Sequence, residues 1–293
     1  MLTGIVSNAQ QDAQYTQYMY NTINVNPAYA GSRDVLSIFG LYRTQWVGLD
    51  GAPKTNALSI NSPIGDTRLG AGLTFVNDQL GPTVENQISA DISYSIPTSQ
   101  DFKLSFGVKG TANLFNLDKT KLRAVDPNDA QYQNLNTKFT PNVGAGLYFH
   151  SNKTYLGVSI PNFLQTIRYA DNSVSVNKER MNLYVIGGRV FELSSDLKLK
   201  PAFLAKAVQG APLQVDLSAN FMFVDKFVLG AAYRWSAAVS LMAGFQATEG
   251  LYLGYGYDLE TTRLRNYNSG SHEIFLRYEF FKRQKRIVSP RFF

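Results

Sequence analysis

The chain has 293 residues, room for one large β domain or two ordinary ones, and its lack of cysteine excludes disulfides and thiolate-held metals. The formal charge of +6 is partly local, since Lys282, Arg283, Lys285, Arg286 and Arg291 lie together near the end. No basic recognition helix or base-stacking sheet motif is readable, so nucleic acid is not an expected partner, and no apolar run approaches the ~20 residues of a transmembrane helix.

Residues 1–9, Met1-Leu2-Thr3-Gly4-Ile5-Val6-Ser7-Asn8-Ala9, are apolar and then small. They look like the back half of a secretory signal peptide with cleavage after Ala9, without the usual positive start. Residues 10–34 are polar and rich in Tyr and Asn, and Asn26-Pro27 and Ala30-Gly31 are turn chemistry. Disordered segments are poor in aromatics, so this stretch is expected to be an ordered lead-in that packs on, or plugs, the end of the following domain.

From Val35 to Phe281 apolar and polar residues alternate in one segment after another, which argues strand rather than helix. Val35–Val47 and Thr55–Ser62 form a first hairpin. Strands follow around Leu69–Phe75, Ile88–Ile96, Leu104–Leu114, Val143–Phe149, Tyr155–Ile160, Met181–Glu192, Asp196–Ala207, Leu213–Phe223, Phe227–Trp235, Ala238–Ala247 and Leu251–Leu259. The last strand is Ser271-His272-Glu273-Ile274-Phe275-Leu276-Arg277-Tyr278-Glu279-Phe280-Phe281. Its Ile274, Leu276, Tyr278 and Phe280 point one way, and Glu273, Phe275, Arg277 and Glu279 the other.

The total is about fourteen strands, an even number as bacterial outer-membrane barrels require. One face of most strands is apolar and ends in aromatics such as Tyr233 with Trp235, Tyr255 with Tyr257 and Tyr278 with Phe280, as interfacial girdles would. The other face carries Gly, Ser, Asn, Lys, Asp and Gln and suits a polar lumen. Burying Lys103, Lys109, Asp91 and Asp216 unpaired in a dry sandwich would cost several kcal/mol each. On this reading an arginine is better tolerated at lumen-facing Phe275 than at lipid-facing Leu276.

Connection lengths agree. The even ones are turn-like (Pro97–Asp101, Ser151–Lys153, Leu193–Ser195, Val224–Lys226, Thr248–Gly250), and several odd ones are long (Asp118–Lys138, Pro161–Arg180, Glu260–Gly270). Gln209–Ala211 and Ser236–Ala237 break the parity, and Pro63–Arg68 is middling. The expected fold is an all-β outer-membrane β-barrel over 35–281, with both termini in the periplasm and a basic tail at 282–293.

Catalytic patterns are missing. His150 and His272 sit on separate strands with no metal-ligand spacing. Gly70-Ala71-Gly72 and Gly254-Tyr255-Gly256 lie inside strands, where glycine marks bends or close packing rather than a phosphate cradle. Glu273 and Glu279 are ~20 Å apart along one strand, too far for an acid–base pair. Asp50, Asp78 and Asp258 lie near strand ends and cannot be assembled from sequence. No enzyme activity, cofactor or metal is expected.

Five segments carry a family resemblance. Gln17-Tyr18-Met19 with Asn26-Pro27-Ala28-Tyr29-Ala30-Gly31-Ser32 resembles the N-terminal signature of the PorP/SprF family. Arg43-Thr44-Gln45-Trp46, Asn61-Ser62-Pro63, Gly270-Ser271-His272-Glu273-Ile274 and Ser289-Pro290-Arg291-Phe292-Phe293 continue it in order. The resemblance runs from about residue 10 to 293 and shows no recognisable motif over Asp118–Arg180. It implies an outer-membrane barrel of the type IX secretion system of Bacteroidota, including its gliding-motility branch. It also implies partners: a secreted surface protein, such as a gliding adhesin, with a type B C-terminal domain, and other secretion or motor components in the periplasm or outer membrane. Membrane lipid would surround the barrel.

Protein recognition needs large, low-entropy anchors. The long loops carry Tyr132, Phe163, Ile167 and Tyr169, expected to dock the cargo's C-terminal domain. Arg291, Phe292 and Phe293 of the tail are expected to meet a periplasmic component. The alternative is a small-solute diffusion channel whose polar lumen, rich in lysine (Lys103, Lys109, Lys198, Lys200, Lys206), favours anions.

Overall fold

The computed structural model describes residues 18–118, 121, 138–164 and 181–281. The expected signal remnant at 1–9, the tail at 282–293 and Tyr132, Ile167, Tyr169, Arg291, Phe292 and Phe293 lie outside them. The strands are β1 (Leu36–Thr44), β2 (Lys54–Pro63), β3 (Leu69–Leu80), β4 (Thr83–Pro97), β5 (Lys103–Leu117), β6 (Lys138–His150) and β7 (Thr154–Ile160). There follow β8 (Asn182–Arg189), β9 (Phe191–Glu192), β10 (Leu197–Val208), β11 (Gln214–Phe223), β12 (Phe227–Arg234), β13 (Ala238–Gln246), β14 (Leu251–Glu260) and β15 (Ser271–Phe280).

Each strand pairs antiparallel with its neighbours in sequence. β8 and β9 are one strand interrupted at Val190, because both pair with β10. The wall therefore has fourteen strands among the described residues, as the alternation predicts. It closes where β1 meets β15, from Leu36 opposite Phe280 to Thr44 opposite His272. A closed ring leaves no unpaired edge and satisfies the backbone internally, which a hydrocarbon environment demands.

The outward set of each strand is exposed and apolar: Leu73, Ile92, Val108, Leu147, Leu229, Leu241, Ile274 and Leu276 are among its members. So continuous an apolar surface is a lipid face. Aromatic pairs mark the rim that carries the chain ends, with Phe102 on Phe149 (4.8 Å), Phe227 on Phe245 (5.1 Å) and Tyr278 on Phe280 (4.6 Å). Tyr233, Trp235 and Tyr255 lie toward the opposite rim, all exposed.

The wall is uneven. β4 and β5 have 15 residues each, whereas β7 has 7 and β8 has 8. Alternation foreshadows only the middle of the tall part. β3 runs on to Leu80 and β4 starts at Thr83, so residues 76–80 and 83–87 are strand, joined by a two-residue turn at Gly81-Pro82. Asn77, Asp78, Gln79, Glu85, Asn86 and Gln87 are polar on both faces. That loss of alternation is what a ribbon standing clear of hydrocarbon would show.

Residues 18–33 occupy the inside of the ring. Three short 3-10 turns, Tyr18–Tyr20, Thr22–Asn24 and Pro27–Tyr29, fold this stretch into a compact body. The Asn26 side chain accepts the Ala28 N–H at 3.0 Å with Pro27 next in line, an N-cap and proline in their favoured order. Met19, Ile23, Asn26 and Ala28 are fully buried against the wall.

Candidate functional site

The lumen holds a dense set of buried polar and charged side chains, and residues 18–33 are at its centre. Wall side chains reach their main-chain carbonyls. Lys109 Nζ donates to Ile23 O (3.1 Å) and Asn24 O (3.4 Å), Ser93 Oγ to Ala30 O (2.6 Å) and Ser159 Oγ to Val25 O (2.7 Å), and the Arg277 guanidinium donates to Tyr20 O. In return, Asn26 Nδ2 donates to Leu147 O on β6 at 2.9 Å.

Inward glycines let the two backbones meet. A Cβ at Gly107 would lie 2.2 Å from Ala28 N, at Gly70 2.2 Å from Ala30 O, and at Gly146 2.2 Å from Asn26 Oδ1. Gly31, with φ of +71°, turns the chain where it passes Gly70. The Gly70-Ala71-Gly72 run is thus a close-packing device: Gly72 makes room for the Ile23 side chain.

Aromatic packing seals one side. Tyr20 stacks on Tyr252 (5.4 Å) and packs on Phe275 (5.0 Å), which stacks on Phe39 (5.3 Å). Phe275 does not face lumen water as its position on the polar face suggests; it is 1% exposed and its ring fills the space above Gly254. Burial pushes the Tyr18 and Tyr20 phenols above their usual range, more than the hydroxyls of Ser218 and Tyr252 bring them down. Both rings therefore stay neutral.

Several buried charges form ion pairs. Arg43 bridges Asp258 (2.7 Å) and Glu273 (3.0 Å), Arg234 holds Asp216 (2.7 Å), Lys109 faces Asp91 (3.4 Å), and Arg33 pairs with Glu279. The five lysines expected to line an anion path are engaged elsewhere. Lys103 meets Asp34 at 3.2 Å on the rim, and Lys198 meets Asp225. Lys200 lies over the rings of Tyr20 (5.2 Å) and Tyr155 (5.8 Å), and Lys206 over Tyr184 (5.7 Å). A polar cleft remains at the rim of the chain ends, lined by Tyr29, Arg33, Asp34, Lys103, Tyr148 and His150 among others.

Of the expected anchors only Phe163 is described. It is exposed on the opposite rim, and its N–H donates to Val143 O at 2.8 Å. The two histidines are apart: His150 Nε2 lies 3.3 Å from Ser105 Oγ, and His272 Nδ1 2.6 Å from the Tyr255 hydroxyl. Asp78 accepts from Thr55 Oγ1 at 2.5 Å, and Asp258 is bound to Arg43. Among the described residues no three His, Asp or Glu side chains are grouped to hold a metal ion. Sequence reading missed Ser93, Ser159 and the glycine seat; the signal was there, as glycines on inward positions of β3, β5 and β6.

No curated protein matches the chain. Several solved outer-membrane barrels share the fold. The toluene transporter TbuX of Ralstonia pickettii aligns with a TM-score of 0.50 at 10% identity, over 87% of this chain and 92% of that one. The monoaromatic hydrocarbon channel CymD aligns with a TM-score of 0.50 at 12% identity, over 92% and 94%. A TodX deletion mutant, also a monoaromatic hydrocarbon channel, gives 0.50 at 11%, over 88% and 93%. In sequence, residues 7–278 match the family described as type IX secretion system membrane protein PorP/SprF.

Proposed function

The chain belongs to the PorP/SprF family of type IX secretion system membrane proteins, and we propose that its barrel is a non-catalytic partner for a large secreted surface protein. It binds that protein, helps export it or anchors it at the cell surface, through a type B C-terminal domain of the gliding-adhesin kind. The observation that carries this reading is the occupied lumen. Residues 18–33 fill the ring and the lumen lysines are tied to carboxylates, carbonyls and rings. A barrel so filled offers surfaces to a partner rather than a path to a solute, which removes the main support for a diffusion channel.

The even strand number and the short turns on the rim of the chain ends support placing both termini in the periplasm. The opposite rim then faces outward, where Phe163, with Tyr132, Ile167 and Tyr169, is proposed to anchor the cargo domain. On the periplasmic side Arg291, Phe292 and Phe293 are proposed to meet another secretion component.

The test deletes residues 131–136 and, separately, replaces Phe163 by Ala, then measures cargo left on the cell surface by antibody labelling. The expected result is at least a tenfold loss with the deletion and a partial loss with Phe163→Ala, while the barrel still changes gel mobility on heating. Cargo retained at the parental level by both variants would place docking elsewhere.

A further inference from the structure

Several of the contacts on residues 18–33 have a common character: they fall on main-chain atoms. Lys109, Ser93, Ser159 and Arg277 satisfy the carbonyls of Tyr20, Ile23, Asn24, Val25 and Ala30. Gly70, Gly107 and Gly146 withdraw the side chains that would hold a backbone off the wall. Buried peptide groups must find partners, and here the wall supplies them from side chains rather than from a paired strand. What it reads in detail is a turn: Asn26, capping Ala28 and bonded to Leu147 O, then Pro27, a small residue at 28 and the ring of Tyr29 against Tyr148 (5.6 Å). Such a surface is built as a peptide site is built.

The segment leaves this seat at the rim. Arg33 pairs with Glu279 in the wall, and the exposed Asp34, with φ of +57°, pairs with Lys103. The polar cleft lined by Tyr29, Arg33, Asp34, Lys103, Tyr148 and His150 opens there, beside the last turn of the bound segment.

We propose that the lumen is a peptide-binding site whose resident ligand is the chain's own segment 18–33, and that it accepts in exchange another polypeptide segment of the same chemistry, an Asn-Pro-small-aromatic turn flanked by small and polar residues. The cleft is the entrance, and opening it breaks the exposed Asp34–Lys103 pair before the buried Arg33–Glu279 pair. The ligand class follows from the lumen alone and does not depend on which cargo docks at the loops.

The test uses the full chain with a site-specific protease sequence inserted between Asp34 and Val35, folded in detergent and then cut. The probe is a fluorescent synthetic peptide of residues 18–33. Expected is saturable exchange, followed by anisotropy, and competition by the unlabelled peptide. Asn26→Ala in the peptide weakens binding at least tenfold. Ala28→Leu, which puts a larger side chain at a fully buried position whose backbone lies on Gly107, abolishes it, and Lys109→Met in the barrel weakens it. A cut segment that never exchanges, or a probe bound equally well with Leu at 28, overturns the proposal. If the insertion prevents folding, a barrel lacking residues 1–33 is refolded with and without the peptide. The peptide is then expected to raise the yield of the heat-modifiable form severalfold, and no effect of the peptide overturns the proposal equally.

Discussion

Arg43 shows what a single residue does in this lumen. It lies on the inward face of β1 and reaches across the closing seam to Glu273 on β15 and on to Asp258 on β14. All three are almost fully buried, so the cation is what makes the two carboxylates tolerable there. Arg43→Met removes that cation and leaves both acids buried, at an expected cost of about 3–5 kcal/mol. Denaturant unfolding in detergent, followed by tryptophan fluorescence, reads the loss. The triple variant Arg43→Met, Asp258→Asn, Glu273→Gln is expected to recover most of it, because the uncompensated charges are gone; no recovery would mean that packing of the arginine stem matters more than its charge.

At the scale of an element, β15 carries a clear two-faced pattern. Leu276 faces lipid, and Leu276→Arg is expected to destabilise the barrel by roughly 2–4 kcal/mol if it lies near the bilayer midplane. Phe275, its neighbour on the other face, is not the milder site that a watery lumen implies. Its ring packs against Tyr20, Phe39 and Tyr252, and an arginine there would add a cation beside Arg277 in a sealed space. Phe275→Arg is therefore expected to cost at least as much as Leu276→Arg. Comparing the fraction of heat-modifiable barrel in the two variants checks this, and a clearly milder Phe275→Arg would show that the inner segment yields easily. Alternation read the direction of each side chain correctly here. It said nothing of what stood opposite Phe275, since the opposing residues lie in the N-terminal segment and on β1 and β14.

For the whole molecule, a closed ring with a filled centre has two separable properties. The ring itself is expected to be extracted only by detergent, to show dominant β-structure by circular dichroism and to change gel mobility on boiling; a detergent-free soluble form with no heat-modifiable band would contradict it. The filling is tested in planar bilayers. The intact chain is expected to conduct poorly, and a chain lacking residues 18–33 at least several times better. Equal conductance would mean that wall side chains alone close the lumen.

The sequence by itself determined the parts that depend on local period and on solvent. A strand in a barrel wall meets lipid on one side and protein or water on the other, so most strand residues declare their face by their polarity. The number of strands, the alternation of turns and loops, and the family motifs could all be read from that one-dimensional pattern. Where the ribbon has polar residues on both faces, within residues 76–87, that period is lost although β3 and β4 run on, so the pattern could not show them. The sequence offered residues 10–34 as a lead-in that packs on, or plugs, the end; only the tertiary structure decided where residues 18–33 lie and which side chains hold them. Lys109 finds the carbonyl of Ile23, Gly107 admits Ala28, and Arg43 finds Glu273 and Asp258, partners separated by 79 to 230 positions along the chain. A lysine or a glycine on an inward face looks the same whether it lines water or cradles a peptide. The difference lies in which distant segment closure of the barrel brings against it.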